Sequence, residues 1–188
     1  MTALTLFGQS GGGAIVTDAT WLTLGVQVQV NAAGYRLAAV WWDSPAGATE
    51  LPTIIALFTV SGTALVHQEF PSWSGAPGSG WVRGAFASPP SLSPGTAYKA
   101  CVAKDAGSGT ANWYGITAHY WDSGAGAAGI TNGALSAPDN AGASPGQDSF
   151  HAAPTATYPD GSFNASNYWV DPEVTLSAGG LLLASGIV

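Results

Sequence analysis

Residues 21–30, WLTLGVQVQV, set Trp21, Thr23, Gly25, Gln27 and Gln29 in alternation with Leu22, Leu24, Val26, Val28 and Val30. A period of two belongs to a β-strand, whose successive side chains point to opposite faces. It predicts one wet face and one buried face. After the turn residues Asn31 to Gly34, YRLAAVWWD predicts a second strand closed by SPAG. IIALFTV and ALVHQEF flank Ser61-Gly62, a two-residue link of the kind that closes a tight hairpin. WVRGAFA, AYKACVAK, WYGITAHYW and NYWVDPEVTL predict further strands, and Gly and Pro recur too often for a long helix.

Many short strands joined by Gly- and Pro-rich loops predict an all-β single domain with long irregular loops, a sandwich or a barrel. Residues 122–161 are the least regular part, with DSGAGAAGITNG, APDNAGASPGQD and YPDG in succession. A structureless connection of that length is uncommon in a compact domain. It predicts a functional excursion or a loop ordered by a partner. The last segment, LSAGGLLLASGIV, is apolar where a solvated terminus would be polar. The expected division is therefore a sandwich over 1–175 and an apolar tail over 176–188. That tail would be a final strand or a docking segment using Leu181, Leu182, Leu183, Ile187 and Val188.

Charged residues are only 8% of the chain, so Ser, Thr, Asn, Gln, Gly and aromatic edges must cover its surface. Disorder does not explain this, because eight Trp, six Tyr and six Phe are far too many aromatics for a disordered chain. Four basic residues, Arg36, Arg83, Lys99 and Lys104, stand against eleven acids. That balance cannot build the electropositive stripe that nucleic acid requires. No run reaches the roughly 18 apolar residues of a membrane span, so membrane insertion is not expected. The start, MTALTLFGQSGGG, lacks the basic and apolar regions of a secretory signal. Cys101, alone in YKACVA, has no partner for a disulfide and reads as a small core residue.

Several short patterns resemble chemistry, and none has the required context. Gly8-Gln9-Ser10-Gly11-Gly12 fits G-x-S-x-G, yet poly-glycine stands where a helix should start. Gly124 to Gly129 fits G-x-G-x-x-G, yet the next residues, ITNGALSAPDN, predict no helix whose N-terminus could cradle a phosphate. His67, His119 and His151 are far apart in sequence, and only His119 with Asp122 suggests a cation site, short of the clustered ligands that zinc needs. The acids Asp43, Asp122, Asp139, Asp148, Asp160 and Asp171 mostly sit beside turn residues, where Asp bends the backbone. No catalytic residue, metal ligand or cofactor is expected.

The aromatic set exceeds what one core needs. Aromatics on a sheet or loop stack on sugar rings or anchor interfaces. Trp73, Trp113, Tyr114, Tyr120 and Trp121 are the candidate contacts to a glycan or partner.

Five blocks then stand in a telling order: LFG, LGVQVQVNAAGYRLAAVWW, ALFTVSGTALVHQEF, SGWVRGAFASPPSLSPGTAYKACVA and SFNASNYWVDPEV. From Leu6 to Val174 the chain resembles domain of unknown function 4082, most sharply at Asn167-Tyr168-Trp169-Val170-Asp171. The resemblance implies a jelly-roll-like β-sandwich that accompanies larger, often glycan-related secreted proteins as a non-catalytic module. It brings no catalytic residues to transfer. Pro172 stands where the family has valine, which removes a ladder donor and predicts an edge or strand end.

An extracellular type of module that starts at Met without an export signal leads to one expectation: a non-enzymatic structural protein of a bacteriophage virion. It would be a minor tail or capsid decoration protein, made in the host cytoplasm. Its expected partners are other virion proteins, further copies of itself and host-surface glycan. The alternative is a free carbohydrate-binding module using the loop aromatics.

Overall fold

The computed structural model describes residues 3–104, 112–147, 149–152 and 157–177. Among these every regular element is a strand: β1 (Leu4–Thr5), β2 (Ala14–Asp18), β3 (Leu22–Val30), β4 (Tyr35–Ser44) and β5 (Ile54–Thr59) come first. Then come β6 (Ala64–Glu69), β7 (Ser72–Ser74), β8 (Gly80–Ala85), β9 (Tyr98–Lys104) and β10 (Asn112–Ile116). The last are β11 (Ile130–Asn132), β12 (Leu135–Ala137), β13 (Ser149–Ala152), β14 (Gly161–Ser162) and β15 (Val170–Leu176).

In one sheet the spatial order is β1-β15-β4-β8-β7, and in the other β3-β9-β5-β6, with β12 and β13 along the free side of β3. The pairings are antiparallel. The chain crosses from sheet to sheet between β3 and β4, β4 and β5, β6 and β7, and β8 and β9. Repeated crossing of this kind belongs to a jelly roll, two Greek keys folded face to face. The all-β sandwich expected from the sequence is the fold.

The core lies between the sheets. Leu22, Leu24, Val26, Val28 and Val30 of β3 face Leu37, Val40 and Trp42 of β4, with Ile55, Leu57, Val82, Val102 and Val174 filling the layer. Each such side chain, fully buried, contributes roughly 1.5–3 kcal/mol. Leu37 and Val40 both point inward although three residues apart, because the β4–β15 register shifts between Glu173 and Val174.

Two expectations are corrected, and of the two alternatives for Pro172, edge or strand end, the edge holds. The face of β3 predicted to be wet is covered: Thr23 and Gln27 are buried. WYGITAHYW is not one strand, because β10 ends at Ile116 and His119 takes a left-handed φ of 58°. The chain turns there, and Tyr120 and Trp121 leave the sheet. The strand containing Pro172 does not stop at it but runs to Leu176. Pro172 is tolerated because β1 pairs only with Glu173 and Val174, which leaves β15 an edge at residue 172. The expected docking residues Leu181, Leu182, Leu183, Ile187 and Val188 lie outside the described residues.

The irregular segment is tied down by its own chain. β12 pairs with β3 at Gln29 and Val30, and β13 pairs with it from Leu22 to Gly25. In the gap between them the Gln147 side chain takes the place of a strand. The Gln27 N–H donates to Gln147 Oε1 at 2.6 Å, and Gln147 Nε2 donates to the Gln27 carbonyl at 2.8 Å. Gln27 Oε1 in turn accepts the Ser144 N–H at 3.0 Å, and buried Lys99 donates Nζ to the Gly146 carbonyl at 2.8 Å. The belt thus closes an edge that would otherwise offer unpaired backbone to another chain.

Gln147→Ala would strand the buried N–H and C=O of Gln27. It should cost about 2–4 kcal/mol of stability, measured by urea unfolding, and speed proteolysis around residues 138–147. An unchanged midpoint would show that water replaces the amide.

Candidate functional site

The polypeptide enters and leaves the described sandwich at one end. Leu4 pairs beside Val174, and Leu176 beside Tyr35. Aromatic residues gather at the other end, where β3 begins, β4 and β9 finish and β15 begins. A two-stranded ribbon of β2 and β10, paired from Asn112↔Asp18 to Ile116↔Ala14, lies there. The ribbon was not expected, since AIVTD carries too short an alternation to stand out. Gly13 permits its close pairing, because a Cβ there would lie 2.3 Å from the Ile116 carbonyl oxygen.

Trp113 and Tyr114 ride on the ribbon. The Trp113 ring rests on Gly47, where a Cβ would lie 3.0 Å from it, and Tyr114 meets Tyr168 edge-on at 6.0 Å. Beneath them a void of about 10 Å³, reached by Trp42, Lys104 and Trp113, has room for about one water. Lys104 sits 5.7 Å above the Trp42 ring, and burial lowers its pKa against the pull of Glu50. A larger cleft of about 200 Å³ opens beside Asp18, Tyr114, Phe163 and Tyr168.

The other sequence candidates separate. Trp73 is part of the frame: its Nε1 donates to the Pro52 carbonyl at 2.9 Å and its ring covers Gly84. Trp121 is 1% exposed, so its ring is taken up by the core. Tyr120 is partly exposed and belongs to a cluster that sequence reading did not assemble. It meets Trp121 at 5.0 Å, Trp169 at 5.4 Å and Phe7 at 6.1 Å, all edge-to-face. Phe7 also meets Trp169 at 5.5 Å, and Trp81 reaches Trp169 from the far side at 6.4 Å.

Asp171 holds this cluster in place. Its side chain has no exposure, and its Oδ1 accepts the N–H groups of Leu6 at 2.6 Å and Phe7 at 3.1 Å. Its Oδ2 accepts the Gln9 N–H at 3.3 Å and Gln9 Nε2 at 3.2 Å. Burial pushes the Asp171 pKa up to about 6, while those four donors pull it down. Two residues on, Glu173 accepts Arg83 Nε at 2.8 Å, Arg83 Nη2 at 2.6 Å and Trp41 Nε1 at 2.8 Å. The Arg83 guanidinium holds Glu173 below its usual range, so this pair stabilises above the ordinary glutamate pKa and is lost as pH falls through the folded one.

Backbone strain concentrates in the same place. Among the described residues six non-glycines have positive φ, and five of them, Gln9, His119, Asn164, Ala165 and Trp169, flank the cluster. Cross-links hold them: His119 N–H to the Asn164 carbonyl at 2.8 Å, Trp121 N–H to the Ala165 carbonyl at 3.0 Å, and Trp169 Nε1 to Thr117 Oγ1 at 3.1 Å. Such conformations persist only where the surroundings over-determine them.

The remaining motifs resolve simply. Ser10 Oγ donates to the Phe7 carbonyl at 2.6 Å in a turn. Gly124 to Gly129 form successive turns that lead into β11. His119 Nδ1 lies 3.1 Å from Asp122 Oδ2 and His151 Nδ1 lies 2.7 Å from Asp160 Oδ1, as surface pairs. Among the described residues no three metal-ligating side chains gather. Cys101 is fully buried, and burial pushes its thiol up to about 12.

Asp171 makes a signed prediction. Its folded pKa lies above the roughly 3.9 of an unfolded aspartate, so its contribution is full below about pH 4 and is lost as pH rises through about 6. Asp171→Asn has no such dependence. In urea melts the wild type should gain on the order of 2 kcal/mol over the variant between pH 7 and pH 4. A difference that stays constant would refute the assignment.

No curated protein matches the chain. The family model described as domain of unknown function (DUF4082) matches residues 9–170. That span covers most of both sheets, the ribbon, the belt and most of the aromatic cluster, and stops as β15 begins. This chain belongs to the DUF4082 family.

Proposed function

We propose that this chain is a non-enzymatic structural protein of a bacteriophage particle, a minor tail or capsid decoration protein, that turns its β-sandwich outward and adheres to host-surface glycan. The observation that carries this is the polarity of the sandwich. The first described strand, β1, and the end of the last, β15, meet at one end, suited to attachment, and Trp113, Tyr114 and the cluster around Trp169 lie toward the other. The belt on β3 supports the same use, since a closed edge keeps closely packed copies from pairing in the wrong way. Jelly rolls serve both as viral capsid domains and as lectins. That fold-level analogy fits each half of the proposal and by itself assigns neither.

A free carbohydrate-binding module would use the same aromatic end without a particle, so location separates the two. Antibody to the purified chain should label gradient-purified phage particles in electron micrographs. Recovery of the chain only as a soluble monomer in culture fluid would overturn the particle half. Retention of host-surface polysaccharide by the immobilised chain would support adhesion, and no retention would overturn that half.

A further inference from the structure

A cavity of about 370 Å³ opens over the aromatic cluster. Phe7, Tyr120 and Trp169 line it, with Ser10, Gly11 and Ala125 at its rim. Resting on the adhesion reading above, we infer that this cavity is a binding site for a single neutral pyranose unit of a glycan, stacked on the aromatic residues and hydrogen-bonded at the rim.

The chemistry of the wall selects the ligand. Tyr120 meets Phe7 and Trp169 edge to face and Phe7 tilts on Trp169 at 59°; Trp169, only 6% exposed, backs the wall, and the half-buried rings of Phe7 and Tyr120 present surface to the C–H face of a sugar. The lining is uncharged and mostly apolar, with Leu6 and Ile130 beside the rings; its polar side-chain atoms are the Ser10 hydroxyl, which donates to the Phe7 carbonyl so that its oxygen remains an acceptor, and the Tyr120 phenol, a further donor. Among the described residues no lysine or arginine lines the cavity, so an anionic ligand would find no countercharge. The nearby Asp171 carboxylate is occupied by its four donors and adds no claim on a cation. The volume falls within the range of small-ligand sites.

The frame is set before any ligand arrives. Gly11 lies flat on Trp169, where a Cβ would come within 2.5 Å of the ring, and its φ of 91° is open mainly to glycine. Gln9, His119 and Trp169 hold strained backbone around the site. A rigid wall of this kind reduces the ordering that binding requires.

The test is titration of the whole chain with methyl pyranosides of glucose, galactose, mannose and N-acetylglucosamine, monitored by tryptophan fluorescence and calorimetry. One or more should give a saturable change with Trp169 and Trp81 as reporters. Tyr120→Ala should weaken binding about tenfold or more. Ala125→Leu, at an exposed rim position that leaves the core intact, should do the same by filling the mouth. If none of the four binds, or if binding survives both substitutions, this inference falls. Binding that survives them and is lost in Trp113→Ala would move the site to the ribbon and leave adhesion standing. Particle labelling is decided separately.

Discussion

A carboxylate shut away from water must find donors or give up its charge, and Asp171 finds four in the first few residues of the chain. That single demand joins the segment from Leu6 to Gln9 to the last strand, 162 to 165 residues away. It sets Phe7 against Trp169 and so creates both the aromatic cluster and the cavity above it. The short pairing of β1 with β15 would otherwise rest on two residues. What looks like a weak edge is locked by a buried carboxylate and its ring of N–H groups.

A second constraint comes from the scarcity of charge. With 8% charged residues the chain cannot cover its outer faces with ions. Instead it folds its least regular segment over β3 and satisfies the covered polar groups one by one. Gln147 stands in for a strand, Ser144 serves Gln27, and Gly146 serves Lys99. Buried polar networks of this type are costly when half satisfied and rigid when complete.

Much of the frame was legible, because alternation is local. β3, β4, β5, β6, β8 and β9 lie where period two, turn residues and apolar runs put them, and Cys101 is the small core residue its apolar run implied. The ribbon strand AIVTD was not legible, since five residues of mixed character signal a strand only when a partner is known. Trp121 and Trp73 looked like surface aromatics by type, and only packing assigned one to the core and the other to Pro52. Phe7 and Trp169 were missed as a pair because nothing in a linear chain sets them side by side.

By itself, then, the sequence determined the class of fold and the positions of most strands, since these come from local periodicity. The family blocks added the sandwich. The tertiary structure alone decided the strand order within each sheet, the Gln147 amide inside a sheet edge, the donors around Asp171 and the aromatic cavity. The last three depend on groups more than a hundred residues apart. Contacts between them are set by how two sheets fold together, and no short window of residues carries that information.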